Sequence, residues 1–187
     1  TSPQRPIPTP VLRGADIIFS QAQQYISVMD WTNAINSLDA LRKNNPTYRT
    51  VDVDGMYYIS LRERGWSKIF PVNCLDTNLE GGIYDLTQAE RFGPLDSTAI
   101  GVRESVRYYL MGAAFWEVNW ENSQYYFSQT MLSYPSLMDS TCKSAQERWR
   151  YATVERGKQY LAANDFCNAQ VQFDLAFTVY NPEHDLI

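Results

Sequence analysis

Residues 31–46 read WTNAINSLDALRKNNP, and residues 120–135 read WENSQYYFSQTMLSYP. Each stretch opens with tryptophan and ends with proline fifteen residues later. Apolar or small side chains recur every three or four positions in between, which is the spacing of one face of an α-helix. The proline ends the helix, because the residue before a proline avoids the α-helical region. Each stretch therefore predicts an amphipathic helix with a defined end.

The same pattern occurs twice more in the chain. One copy starts at Phe166 and ends at Pro182, and another is found by counting back from Pro94 to Leu79. Such repetition predicts an array of like units, each of which is too small to bury its apolar face alone. Three positions recur in each copy: a small residue, a large residue or leucine four places later, and a third contact residue three places after that. The four sets are Ala34, Leu38 and Leu41; Gly82, Leu86 and Ala89; Ser123, Phe127 and Thr130; and Ala169, Phe173 and Ala176.

Each of these helices has a predicted partner helix before it in the chain. The small residue lets the two helices approach closely, and the large one fills the gap to the next hairpin. Signals for strands are poor, so the chain is predicted to be all-α. Asp30 is predicted as the N-cap of the helix that opens at Trp31. The remaining helices are predicted at 15–28, 52–64, 79–92, 98–117, 120–133, 139–163 and 165–179, with a loop at 67–77.

This pattern resembles the tetratricopeptide repeat (TPR) family. The first helix of that repeat carries a small residue nine places before the aromatic that opens the second helix, and an aromatic three places after the small residue. The resemblance covers about residues 15–182 and implies a right-handed solenoid of about four helix-turn-helix repeats. Successive units here are spaced by 48, 41 and 46 residues, whereas the family period is about 34. The matching pairs are Ala22 and Tyr25, Gly157 and Tyr160, and, with a turn of different length, Gly112 and Phe115.

The resemblance implies protein binding, because the first helices of such solenoids line a concave groove that holds a peptide. An alternative is that the tyrosines pack between repeats. One subtype of the family binds the terminal carboxylate of chaperones through a Lys and an Asn. This sequence has Phe19 and Gln23 at those two positions, so that ligand is disfavoured. The predicted partner-binding residues are Phe19, Gln23, Tyr57, Arg103, Arg107, Tyr109 and Lys158, with Ala113, Val154 and Arg150 on the same helices.

Charge and hydropathy exclude two classes of partner. The net charge is −5 and the sequence pI is about 4.9, whereas a nucleic-acid binder normally carries a basic face. No apolar run approaches the roughly 18 residues that a spanning helix needs. We therefore expect neither nucleic-acid binding nor membrane insertion of this segment.

The N-terminal segment differs in composition from the rest. Residues 1–13 include four prolines among polar residues and predict an extended linker. Residues 14–187 are then the repeat domain. Thr/Pro-rich linkers of this kind often join a membrane anchor to an extracytoplasmic domain in bacteria. We therefore expect an extracytoplasmic location, with the chain tethered through a segment upstream of Thr1.

The three cysteines are Cys74, Cys142 and Cys167. Their odd number leaves at least one free thiol, and the absence of CxxC spacing indicates neither a zinc site nor a disulfide framework. We expect small core or loop residues, with a Cys142–Cys167 bridge disfavoured and other pairing left open.

Motifs for catalysis are missing from the sequence. The single histidine, His184, lies in a polar tail, and no P-loop, dinucleotide fingerprint or nucleophile elbow occurs. The segment 52–55 lacks the ligand set of a calcium loop, and Asp54 is better interpreted as an N-cap. We therefore expect no enzyme activity, no metal and no cofactor.

Two functions remain as hypotheses. The first is a scaffold or adaptor domain that binds a peptide or protein segment in its groove. The alternative is a small-ligand sensor domain of an anchored envelope protein, with an aromatic pocket rimmed by Trp116 and closed by the 67–77 loop. Exposed apolar surface on the last helix, at Leu175 and Val179, would in addition favour further repeats or dimerisation.

Overall fold

The computed structural model describes residues 10–179, with side chains from Arg13 onward. Within that range the chain is all-α, as predicted: eight α-helices, one short 3₁₀ turn at Cys74–Asp76 and an isolated bridge between Met138 and Ser144. The helices are α1 (Pro10–Ser27), α2 (Trp31–Asn44), α3 (Thr50–Ile69), α4 (Leu79–Ala89), α5 (Ser97–Ala114), α6 (Trp120–Met131), α7 (Ala145–Ala162) and α8 (Phe166–Phe177).

The second helix of each hairpin starts where the sequence predicts, because a side chain caps it. In each case an Asp or Asn oxygen accepts a hydrogen bond from the backbone N–H three residues later. The predicted cap at Asp30 is confirmed, and it is one of four equivalent caps. The pairs are Asp30 with Asn33 (3.2 Å), Asn78 with Gly81 (2.8 Å), Asn119 with Asn122 (2.9 Å) and Asp165 with Asn168 (3.2 Å).

The first helices depart further from their predicted bounds. Helix α1 begins at Pro10, within the stretch predicted as a linker, and residues 1–9 lie outside the described residues. Proline suits the first turn of a helix, where its missing N–H would have no partner. Helix α3 extends from Thr50 to Ile69, so Asp54 lies inside it and is not an N-cap. Its carboxylate instead pairs with Arg42.

Helix α7 starts at Ala145, six residues later than predicted. Ser144 Oγ accepts from the Glu147 N–H at 3.1 Å, and Glu147 Oε2 accepts from the Ser144 N–H at 2.7 Å. This reciprocal capping box satisfies two N–H groups at the helix start and so fixes its position. Residues 139–144 are left as loop.

The chain divides into two compact units. Among the described residues, one comprises 10–67 with Tyr84–Asp96, and the other comprises Lys68–Ile83 with 97–179. In the first, α1 packs on α2, and in the second α5, α6, α7 and α8 pack in chain order. The small and large repeat positions lie in these cores: Ala22, Ala34, Leu38 and Leu41 in the first unit, and Ser123, Phe127, Thr130, Ala169 and Ala176 in the second.

Small residues bring the paired helices close together, as the repeat predicts. A Cβ built on Gly112 would lie 2.9 Å from the ring of Phe127, and one built on Gly157 would lie 2.7 Å from the ring of Phe173. In both hairpins a glycine of the first helix therefore contacts the large residue of the second directly.

A disulfide joins Cys74 to Cys142, which corrects the expectation that no disulfide was indicated. The bond links the 3₁₀ turn after α3 to the loop before α7, with the two Cα atoms 5.3 Å apart. The sequence interpretation placed Cys142 in a helix predicted at 139–163. In the structure Cys142 lies in the loop before α7, in the left-handed backbone region with φ of 59°. Cys167 is a free, exposed thiol on α8.

Candidate partner-binding groove

The seven predicted binding residues divide by exposure. Gln23, Arg107 and Lys158 are exposed, and a partner can reach them. The other four are buried in this structure. The buried residues are Phe19, Tyr57, Arg103 and Tyr109.

Tyr109 is fully buried (0% exposed) in the core of the second unit. Its hydroxyl donates to the Lys143 carbonyl at 2.6 Å and accepts from Arg148 Nε at 2.9 Å. Its ring packs edge-on against Phe127, with ring centres 5.1 Å apart. Burial raises the pKa of the Tyr109 hydroxyl above its usual value. Tyr109 therefore fixes the loop before α7 to α5.

Tyr57 has the same kind of role in the first unit. Its hydroxyl donates to Asp39 at 2.7 Å, and its ring stacks on Phe92 at 4.7 Å. Burial, together with the hydrogen bond to Asp39, raises the pKa of the Tyr57 hydroxyl. Phe19 is covered by Arg49, whose guanidinium carbon lies 4.9 Å from the ring centre.

A groove of about 500 Å³ in the second unit is formed by α6, α7 and α8. Trp149 of α7 is nearly buried at its floor, and Leu175 of α8 and the exposed Tyr125 of α6 line its apolar part. Gln124 and Arg156 form its polar part. The groove thus combines an aromatic floor with a charged group, which is the composition of many partner-binding sites.

A hydrogen-bond network holds Arg156 in place at the polar end of this groove. Its guanidinium donates to Gln124 Oε1 at 2.8 Å and to Glu121 Oε1 at 2.5 Å, and it lies 5.6 Å from the ring centre of Tyr160. The Gln124 amide in turn donates to Thr153 Oγ1, at 2.9 Å. Gln124 is buried, so its orientation is fixed by these partners.

Glu121 differs from the rest of the network because its side chain is 68% exposed. An ion pair with one exposed partner contributes little to stability. A carboxylate from a ligand can therefore replace Glu121 on Arg156 at small cost, while Gln124 keeps the guanidinium oriented.

A second cavity, of about 320 Å³, lies in the first unit between α2, α3 and α4. Its charged groups are already engaged within the chain. Arg64 holds the fully buried carboxylate of Asp85 with two hydrogen bonds of 2.7 and 2.8 Å. Tyr57 is bonded to Asp39. This cavity offers a ligand fewer accessible polar groups than the groove of α6–α8.

The sequence interpretation missed Tyr125, Trp149 and Arg156 as groove residues. It followed the family's groove on the first helices, whereas this groove also uses the second helices α6 and α8. One signal was present: Gln124 and Gln170 both stand four places after the aromatic that opens a repeat. Gln124 is buried and hydrogen-bonded, as a polar residue within an apolar stripe is expected to be, whereas Gln170 is exposed.

Neither metal-binding nor membrane-spanning features occur in the described part of the chain. Between residues 10 and 179, no three His, Cys, Asp or Glu side chains are grouped so that they can hold a metal ion. None of the helices in that range combines the length and apolar character needed to cross a bilayer. Comparison with family models, curated proteins and solved structures found no match to this chain.

Proposed function

We propose that this chain is a right-handed solenoid of four TPR-like hairpins that serves as a protein-interaction scaffold, without catalysis. Support comes from the four equivalent helix caps and from the close helix approach at Gly112 and Gly157. Helical hairpins of this kind present extended surfaces to peptides and proteins.

The observation that carries the proposal is the groove of α6–α8, where an apolar floor adjoins an oriented guanidinium. A peptide side chain that packs on Trp149 and Leu175 would bury apolar area. A carboxylate on the same peptide would accept from Arg156 in place of Glu121, as a charge-assisted hydrogen bond. The preferred ligand is therefore an acidic peptide segment with one large apolar side chain.

The surface of the first helices is the competing location on the same scaffold. Two of its exposed charges are paired with neighbours on the same helix: Arg107 with Glu104 and Lys158 with Glu155, each at 2.7 Å. No apolar groove with an oriented charge adjoins these pairs among the cavities described above. Arg107 therefore provides a matched control for Arg156.

Two observations favour the scaffold over the small-ligand sensor. Trp116 stacks on Tyr151, with ring centres 5.1 Å apart, and packs edge-on against Trp120 at the same separation. The ring that the sensor hypothesis assigns to a pocket is thus used in packing. The loop assigned as its lid is attached through Cys74 to Cys142.

The disulfide also supports the extracytoplasmic part of the proposal. Disulfides form and persist in oxidising compartments such as the bacterial periplasm and the cell surface, and are rare in the cytosol. The Cys74–Cys142 bond fits that environment.

The test is a selection of peptides from a random display library on the oxidised protein, followed by titration of one selected acidic peptide. We expect Tyr125→Ala and Arg156→Ala to weaken binding at least tenfold, and Arg107→Ala to leave it unchanged. Thermal melting would verify that each variant is folded. Weakening by Arg107→Ala alone would move the site to the first helices. Failure to select any peptide would contradict the scaffold function.

A further inference from the structure

The second helix of a hairpin carries a stripe of residues that faces the next hairpin. In α6 this stripe includes Trp120 and Gln124. Helix α7 packs on α6. Gln124 bonds to Thr153 of α7, and the Trp120 ring lies 5.8 Å from Tyr151 of α7. The α6 stripe is thus an interface between hairpins.

Helix α8 carries an equivalent stripe, but no helix follows it within the described residues, which end at 179. Phe166, at the position of Trp120, is 63% exposed, and Gln170, at the position of Gln124, is exposed. An apolar cavity of about 410 Å³ lies farther along α8, lined by Arg150, Val154, Phe173, Ala176 and Phe177.

The cavity has a simple origin in side-chain size. Alignment of Gly112 with Gly157 places Tyr109 of α5 opposite Val154 of α7. Tyr109 fills its site completely, whereas the smaller Val154 leaves space open. The last hairpin therefore has both the exposed ring of Phe166 and an open cavity at Val154.

Helix α1 has the complementary property: no helix precedes it within the described residues. Alignment of Ala22 with Gly157 shows which residues of α1 correspond to the face of α7 that covers α6. Ile17 corresponds to Ala152, Ile18 to Thr153 and Gln21 to Arg156. In α7, Ala152 and Thr153 are buried. In α1, Ile17 is 60% exposed, Ile18 is half-buried and Gln21 is exposed.

We propose that this chain associates with a second copy of itself head to tail, with α1 of one copy docked on α8 of the other. The contact repeats the one between α6 and α7, so it continues an interface that the chain already forms within itself. Ile17 and Ile18 would pack on the α8 stripe at Phe166 and Gln170. The two stripes carry no charged residue, and the amides of Gln21 and Gln170 would pair.

One further feature agrees with this register. Gly14 of α1 stands at the position of Trp149, and a Cβ built there meets nothing within 4 Å. In the proposed contact, this end of α1 would face the C-terminal half of α8 of the other copy, and space is open there. Because the two surfaces differ, the contact is heterologous. Each added copy leaves one α1 surface and one α8 surface free at the ends of the assembly, so further copies can add unless the copies close into a ring.

The experiment measures mass by light scattering over a range of concentrations, in a Cys167→Ser background that excludes crosslinking through the exposed thiol. The variants are Ile17→Asp, which charges the α1 face, and Phe166→Asp, which charges the α8 face. Aspartate is favourable in the first turn of a helix, so the second variant is expected to fold. Val51→Asp, at a residue that is 84% exposed on α3, is the matched control.

We expect the parent and Val51→Asp to self-associate, and Ile17→Asp and Phe166→Asp each to remain at the monomer mass of 21.6 kDa. Each variant keeps one intact face, so an equimolar mixture should double in mass and stop at two chains. A parent that stays monomeric at every concentration would overturn the proposal. A mixture that stays monomeric would do the same. Association lost in Phe166→Asp but kept in Ile17→Asp would indicate a two-fold α8–α8 contact instead.

Discussion

Gly157 of α7 lies so close to Phe173 of α8 that a Cβ at residue 157 would be 2.7 Å from Cε1 of the ring. The equivalent residues of the preceding hairpin, Gly112 and Phe127, have the same relationship at 2.9 Å. Phe127 is fully buried, whereas Phe173 is half-buried and lines the cavity beside Val154. The absence of a side chain at these two glycines sets the distance between the helices of each hairpin.

Substitution of Gly157 should therefore destabilise the protein. An alanine within a helix normally stabilises relative to glycine by about 0.5–1 kcal/mol, but here its methyl group would overlap the ring. We expect Gly157→Ala to lose stability and Gly157→Leu to lose about 1–3 kcal/mol or more through overpacking. Urea denaturation of the two variants would measure both changes.

Gly101 of α5 provides the control, because a Cβ built there meets no other atom within 4 Å. Gly101→Ala should gain about 0.5–1 kcal/mol. Equal effects of alanine at 101 and 157 would show that Phe173 does not restrict the site.

The Cys74–Cys142 bond should stabilise the second unit substantially. It closes a loop across a separation of 68 residues, for which the chain-entropy model gives about 4 kcal/mol, with engineered examples often lower. The double variant Cys74→Ser, Cys142→Ser should melt at a lower temperature than the oxidised parent. Cys167→Ser should melt like the parent, because that thiol is exposed and unbonded. A melting temperature that is the same with and without reductant would contradict this prediction.

The ion pair between Arg64 and Asp85 should be costly to break from one side. Asp85 is fully buried, and Arg64 donates two hydrogen bonds to it. Removal of Arg64 deletes both of these hydrogen bonds and a positive charge beside a buried carboxylate, for which losses of about 3–5 kcal/mol are typical. We expect Arg64→Ala to destabilise by that order in chemical denaturation. Lys158→Ala removes an exposed pair with Glu155 and should change stability by well under 1 kcal/mol.

Alkaline pH should weaken the fold through Tyr57 and Tyr109. Burial raises the pKa of both hydroxyls in the folded chain, whereas unfolded tyrosines titrate near pH 10. The folded state therefore holds these protons more tightly, so stability present below about pH 10 is lost as the pH rises above it. The midpoint of urea denaturation should fall more steeply between about pH 9 and 11 in the parent than in the Tyr57→Phe, Tyr109→Phe variant. Parallel curves would exclude both hydroxyls as the cause.

The sequence by itself determined the helices and the hairpin turns, most accurately at the second helices. Their starts depend on a cap of one side chain on a backbone N–H three residues away, as at Asp30 and Asp165. Helix α2 ends two residues before Pro46, whereas α4 and α6 end five and four residues before a proline. These interactions are local, so a linear pattern contains them. The glycine-to-aromatic spacing is likewise local to one hairpin, and it correctly indicated the close approach at Gly157.

Only the tertiary structure decided which apolar faces are covered. The period of an amphipathic helix shows that Tyr57 and Tyr109 lie on an apolar side, but a first helix has two neighbours, and the pattern does not show which of them buries a given ring. The same limit hid the disulfide, since Cys74 and Cys142 meet through loops whose paths depend on packing. The groove around Arg156 depends on three helices at once, so its residues share no continuous pattern in the chain.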